Sequence, residues 1–424
     1  MERNDTVYSS YLRILEEELK TAMGCTEPIA IAYGAAKARA LLGQIPERLL
    51  VQVSGNIIKN VKSVVVPHTG GLRGIPAAAA AGAAVGEAER ELEVLSYVTK
   101  EQQAQIRDFL ERVPITVEFA STPQIFDIMI TAYAGEHEAF VRIAEYHTNL
   151  VCLRKDGETL LEKELRELEE DLTDRSLLSI EGIIEFGERL DIRDAEEILK
   201  RQISLNMAIA EEGLKGDYGA RIGKTLLQTR QNALCVKMRA WAAAASDARM
   251  NGCELPVVIN SGSGNQGITA SVPLVVYARE KGYSEEELLR ALAVSNLVTI
   301  HLKTGIGRLS AYCGVVSAGC GCAAGLAFLK GGRFDAVAHT VVNSLAMNSG
   351  VICDGAKASC AAKIASAVEA GLLGLDMYEK GNQFFGGDGI VKKGVENTIR
   401  SVGHLARFGM AETDQVIIRL MLEE

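Results

Sequence analysis

Hydrophobic and polar positions follow two textures along this chain, and the change between them falls near residue 160. Residues 8–42 carry apolar positions at helical spacing, with Glu16, Glu17 and Lys20 on one face and one interruption at residues 24–28. Thr6 or Ser9 can cap the first helix. Thr26 can cap a second over residues 29–42, with Pro28 in its first turn. Residues 49–53 and 61–66 are short and β-branched, which predicts strands. The Ala-rich residues 74–91 and the polar-faced residues 100–113 predict helices. Further strands are predicted over residues 115–120, 126–133, 138–146 and 149–153, with turn signals at Gly135-Glu136-His137 and Lys155-Asp156-Gly157.

The charge-dense residues 161–174 predict a surface helix or linker, and beyond them strand signals nearly vanish. Helices are predicted over residues 183–214, 233–251, 264–281, 284–302, 315–329, 334–348, 357–371 and 395–407, with Gly-rich breaks between them. The expected fold class is therefore α+β. A smaller α+β domain with a mostly antiparallel sheet is expected at residues 47–160, and a large all-helical domain at residues 161–424. The N-terminal helices, residues 1–46, are expected to pack on the helical domain.

Composition narrows the function classes. The 424 residues are 48% hydrophobic and 24% charged, with a net charge of −10. Nucleic-acid affinity rests largely on Lys and Arg neutralising phosphates, and no basic stripe offsets this acidic balance, so no nucleic-acid partner is expected. No apolar core follows the opening Met1-Glu2-Arg3-Asn4-Asp5. The most apolar stretch, residues 75–86, is shorter than the roughly 20 residues a spanning helix needs. The expectation is a cytoplasmic protein with no membrane partner and, on the commonest oligomer type, a homodimer.

The nine cysteines change the picture. Without an export signal a disulfide framework is not expected. Cys313, Cys320, Cys322, Cys353 and Cys360 crowd into one segment, among glycines. Thiolates are soft ligands suited to zinc or iron–sulfur clusters, and glycine lets the backbone approach a bulky inorganic core. Neither pair has the Cys-x-x-Cys spacing of a structural zinc site. Cys320 and Cys322 point to different faces of a helix, so one of them at most is a ligand. Cys353 and Cys360 on one helix would stand about 10 Å apart along the axis, so Cys353 is expected in a loop, with Asp354 capping a helix that carries Cys360. Close packing of small-residue helices is the alternative reading of the same cluster.

Other segments can serve a small ligand. Gly24-Cys25-Thr26-Glu27-Pro28 puts a thiol near a helix start, where it can be a ligand, a reactive thiol or a small buried residue. Ser261 to Thr269 opens a helix with free N–H groups and hydroxyls suited to a phosphate or carboxylate. His68 and Arg73 lie in a flexible Gly-rich stretch, with Lys59 and Asn60 upstream. His301 and Lys303 precede the Cys-rich region. Lys357 is the best-placed lysine for a pyridoxal-phosphate alternative.

Taken together, Gly24-Cys25-Thr26-Glu27-Pro28, Ser54-Gly55-Asn56 with Lys59-Asn60, Pro67-His68-Thr69-Gly70, Gly262-Ser263-Gly264-Asn265-Gln266-Gly267, Gly319-Cys320-Gly321-Cys322 and Ile352-Cys353-Asp354-Gly355-Ala356-Lys357 resemble the L-cysteine desulfidase family. That family is related to the α chain of iron–sulfur-dependent L-serine dehydratases. The resemblance spans essentially the whole chain. It implies a [4Fe–4S] cluster acting as a Lewis acid, and breakdown of L-cysteine, the small amino-acid substrate, to pyruvate, ammonia and sulfide. Carried onto this sequence it implies Cys322, Cys353 and Cys360 as metal ligands, with Cys320 the alternative to Cys322, Cys313 structural, and Cys25 a further ligand or catalytic thiol. The gap between the last two cysteines is shorter than in the dehydratases, and the C-terminal Cys of some dehydratases has no counterpart at Leu422-Glu423-Glu424.

The expected chemistry is α,β-elimination. Ser263, Asn265, Gln266 and Arg73 are the expected substrate-binding residues. His68 is the first candidate base for the Cα proton and Lys59 the second. L-Serine dehydration on the same cluster is the alternative substrate reading, and a non-catalytic cluster or ligand sensor is the alternative of another class.

Overall fold

The computed structural model describes residues 1–23, 26–120, 122–165, 172–230, 233–307 and 310–423. It is an α+β fold with two hydrophobic cores. Helix α1 (Thr6–Glu18) runs into a short strand β1 (Thr21–Met23), and α2 (Thr26–Leu42) follows. The sheet unit then forms from β2 (Arg48–Val53), α3 (Gly55–Val61), α4 (Gly74–Val85), α5 (Lys100–Arg112), β3 (Ile115–Phe119), β4 (Asp127–Ala134), β5 (His137–Ala144), β6 (Leu150–Lys155) and β7 (Glu158–Glu162).

The strand order is β3-β2-β4-β5-β6-β7. Only the β2–β3 pair is parallel; the others are antiparallel, as the alternating pattern predicts. Cross-strand neighbours Val51 and Ile130, then Ile130 and Val141, put one apolar face inward. Helices α2 and α4 cover this core with small residues, which explains the Ala-rich texture of both. Helix α1 packs elsewhere: Tyr8 and Tyr11 sit on Phe186, with ring centroids at 5.2 and 5.5 Å.

The helical part holds α6 (Ile180–Arg189), α7 (Glu196–Lys215), α8 (Ile222–Thr229), α9 (Leu234–Met250), the short strand β8 (Pro256–Val258), α10 (Gly264–Lys281), α11 (Glu285–Ile306), α12 (Gly314–Leu329), α13 (Phe334–Asn348), α14 (Cys360–Glu379), α15 (Val395–His404) and α16 (Ala411–Leu422). Its core is contiguous with α1. Helices α12 and α14 touch backbone to backbone at Gly319, where an added Cβ would overlap the Ala367 carbonyl. Much of the glycine in the Cys-rich segment thus serves helix contact. Among the described residues no helix is long and apolar enough to cross a membrane.

Several boundaries differ from the sequence expectations. Residues 61–66 form no strand. Helix α3 runs to Val61, and Val66 and Gly74 close a local loop through N–H bonds to Leu72 O (2.8 Å) and from Gly74 to Val64 O (3.1 Å). The β-branched side chains there are buried, and Val65 makes only an isolated bridge to Arg73. The helix expected over 74–91 stops at Val85, and residues 183–214 form two helices, α6 and α7, parted at Asp191, whose carboxylate accepts from Arg193 N–H. Strands β1 and β8 pair antiparallel across the chain, Thr21 with Val258.

Candidate active site

Two loops meet at a single antiparallel bridge, Tyr312 with Ile352. One loop leads from α11 into α12, the other from α13 into α14. Cys313 N–H donates to Val351 O at 2.9 Å, and Cys353 N–H to Ala311 O at 2.6 Å, so the bridge sets the two cysteines diagonally across it. The Cys313 thiol donates to the Cys353 sulfur. That bond, with burial added, pushes the Cys313 thiol well above its ordinary range. The same bond holds Cys353 well below its ordinary range, against burial, with help from the Lys59 ammonium, the Gly355 N–H and Lys303. Cys360 opens α14. Burial raises its thiol, which donates to Gly355 O at 3.5 Å, and the charge of Cys353 adds to the rise. Cys313, Cys353 and Cys360 are all free thiols.

Two buried lysines stand beside these sulfurs. Lys59, on α3, is 2% exposed. Its Nζ lies 2.5 Å from Asp414 Oδ1 and donates to Ser310 O at 3.5 Å. Its own carbonyl packs on Gly355, where φ is +92° and an added Cβ would overlap that oxygen, so only glycine fits. Lys303, on α11, is 5% exposed and donates to Gly307 O at 2.5 Å. Burial pushes its ammonium down to about 8, while Cys353 and Cys313 pull the other way. Asp354 does not cap α14. It pairs with Lys357 and, at 2.5 Å, with Lys363.

The first turn of α10 completes one wall. Ser263 precedes the helix, and Asn265 and Gln266 are buried in its first turn. The Gln266 amide lies over Gly314, 2.7–2.8 Å from where a Cβ would stand, next to Cys313. Its Oε1 is buried without a hydrogen-bond partner. Asn265 accepts from Arg249 at 3.3 Å and lies 3.6 Å from Met250 Sδ, and Met250 packs with Val64, Ala356 and Cys360. Glu27, opening α2, accepts from Asn60 at 3.3 Å, so that motif reaches the residue after Lys59. Cys25 lies outside the described residues.

The structure thus brings Lys59, Asn265, Gln266, Cys353 and Cys360 into one region, with Ser263 at its edge. It does not bring Cys322. That residue is nine positions into the chain beyond Cys313, roughly 13 Å along α12, and burial alone pushes its thiol up to about 12. Cys320 is likewise fully buried, up to about 12, against Ser344. The third thiol beside Cys353 and Cys360 is Cys313, expected to be structural. His68, the first candidate base, has φ +60°. It is held on Glu254, at 3.1 Å through its N–H and 3.2 Å through Nδ1, beside a cavity of about 20 Å³, room for one water and not for an amino acid. Arg73 is exposed, with its guanidinium on Ser63 O at 2.9 Å. Sequence reasoning set Cys313 aside as structural, named Lys303 only in a polar set with His301, and passed over Asp414. Lys303 carried a readable signal, a charge inside the largely apolar run of α11.

A UPF0597 protein of Desulfitobacterium hafniense is 56% identical over 425 residues, covering 100% of this chain and 99% of its own. A UPF0597 protein of Treponema denticola is 46% identical and covered fully on both sides. One of Bacteroides fragilis is 38% identical, with 97% of each chain covered. The serine dehydratase alpha chain family matches residues 89–419, a span that includes all three clustered thiols, Lys303 and Asp414. The chain belongs to the serine dehydratase alpha chain family.

Proposed function

We propose that this chain is an iron–sulfur-dependent lyase that eliminates sulfide from L-cysteine, giving pyruvate, ammonia and hydrogen sulfide. The observation that carries the reading is the convergence of three free thiols, Cys313, Cys353 and Cys360, with two buried lysines and the first turn of α10. Among the described residues no three side chains converge tightly enough for a single metal ion. Three thiols brought together from two loops are soft donors of the kind that suit an iron–sulfur group. Cys313, Cys353 and Cys360 would hold a [4Fe–4S] cluster, and the resemblance adds Cys25 as a fourth candidate. When bound, such a cluster supplies a Lewis acid for which a departing thiolate is a natural ligand.

The chain's own residues do the rest. The free N–H groups opening α10 receive the substrate carboxylate, and the unpartnered Gln266 Oε1 accepts from the substrate ammonium. With His68 tied to Glu254, the lysines take over proton handling. Lys303 faces no carboxylate among the described residues, and its amine takes the Cα proton. The C–S bond then breaks, and the Lys59 ammonium stabilises the charge of the leaving sulfide. The aminoacrylate product tautomerises to an imine, and water releases pyruvate and ammonia. The family name favours L-serine as a second substrate, with water leaving in place of sulfide.

The test is anaerobic reconstitution followed by assay of sulfide and pyruvate from L-cysteine and of pyruvate from L-serine. Turnover that rises with bound iron is expected, with cysteine the faster substrate. Equal activity in the iron-free protein overturns the reading, and a faster rate on serine moves it to the second substrate.

A further inference from the structure

The C-terminal helix enters the site through one ion pair. Helix α16 lies on α3: Ile418 fills the space beside Gly55, and Lys62 Nζ donates to Met421 O. Asp414 stands in the first turn of α16 with 14% of its side chain exposed, and its Oδ1 is the 2.5 Å partner of Lys59 Nζ. The other hydrogen bond of that ammonium runs to Ser310 O, in the segment leading to Cys313, while the Ser310 hydroxyl donates to Ala406 O at 3.2 Å. Lys59 therefore hangs between the C-terminal segment and the Cys313 loop, with its own carbonyl and stem against Gly355, two residues after Cys353.

A pair that only fastened α16 to α3 would need no buried charge, because Ile418 already fills that contact. A lysine on a four-carbon stem is not aimed by its own rotamers. A carboxylate fixed in the first turn of a helix aims it, and the orientation of a charged group decides how much a developing negative charge is stabilised. We propose that Asp414 is the positioning residue of Lys59, so that the C-terminal helix is a working part of the site and not an appendage. The inference rests on the elimination reading above, in which Lys59 faces the leaving sulfide.

A double-mutant cycle on the reconstituted full-length protein separates this role from a structural one. Asp414→Asn, Lys59→Met and the double variant are measured for kcat and KM on L-cysteine, for bound iron and acid-labile sulfide, and for thermal melting; Asp414→Glu is the conservative variant. We expect Asp414→Asn to lower kcat by about a hundredfold with KM changed less than about threefold. In the Lys59→Met background the same change should cost almost nothing, and Asp414→Glu should recover part of the loss. Iron content should match the unsubstituted protein throughout. An unchanged kcat in Asp414→Asn, multiplicative losses in the double variant, or iron lost along with activity overturns the positioning role while the elimination reading stands. A reconstituted wild-type protein that acts on neither cysteine nor serine overturns both.

Discussion

Asp247 shows what one buried carboxylate contributes to this protein. It is 1% exposed on α9, and its Oδ2 accepts the Gly223 N–H at 3.0 Å where α8 begins. Its Oδ1 is buried without a partner. Burial raises its pKa to about 6, with the N–H bonds from Gly223 and Ile222 opposing. The folded pKa is above the unfolded one, so the stability this group contributes is fully present below about pH 4 and is lost as pH rises through about 6. The shift corresponds to roughly 2–3 kcal/mol. Asp247→Asn keeps an acceptor for Gly223 and removes the titration. The stability of the variant relative to wild type should therefore rise by about 2 kcal/mol between pH 4 and pH 7 in urea unfolding, and a constant difference would show that the carboxylate is not buried in this way. The thiols give the companion result at the same scale. Cys313 and Cys322 are the same residue type near the same helix, and motif order selected Cys322. What separates them is the Tyr312–Ile352 bridge, a contact between residues forty positions apart that no local pattern encodes. Cys313→Ala, Cys353→Ala and Cys360→Ala should each lose most of the bound iron. Cys322→Ala should keep it, at a stability cost of about 1 kcal/mol for a lost buried sulfur.

Among the elements, a set of buried amides holds the turn that opens α10. Gln202 and Asn296 exchange hydrogen bonds at 3.0 and 2.8 Å, and Asn260 donates to Asn296 Oδ1 at 2.9 Å. Asn206 completes β8 from its open side: its amide accepts from Val258 N–H at 2.8 Å, donates to Val258 O at 3.1 Å, and reaches Ser271 Oγ at 3.0 Å. A side chain here stands in for a neighbouring strand. Asn206→Ala would leave both backbone groups of Val258 buried and unpaired, and should cost about 3 kcal/mol in denaturant unfolding. KM should rise with it, because the Asn260–Ser263 turn loses its support. Element legibility follows the same division. Helices α10 and α13 match their sequence bounds because Gly breaks and helical periodicity mark them locally. Strands β1 and β8 are three residues each and carry no period. Their existence depends on a partner more than two hundred residues away and on the Asn206 amide.

At the scale of the whole molecule, the candidate site belongs to neither core alone. The thiols and Lys303 come from the helical part, whereas Lys59 comes from α3 beside the sheet and Asp414 from the last helix. The α+β class and the antiparallel character of the sheet were legible because periodicity reports which face of an element is buried. Which elements meet across the boundary was not, because a meeting of two backbones leaves only a glycine in the sequence. Gly355 is that residue, with its positive φ and the Lys59 carbonyl against its Cα. Gly355→Ala meets two penalties at once, a left-handed backbone and an overlap with backbone that cannot swing away. The loop carrying Cys353 must then retreat from α3. Both cores are built from contacts that do not involve Gly355, so far-UV circular dichroism should stay close to wild type. Bound iron should fall, and turnover should fall by more than a hundredfold as Lys59 and the thiols part. Retention of iron with full turnover would mean that Lys59 and the Cys353 loop work independently, and that the site is complete within the helical part.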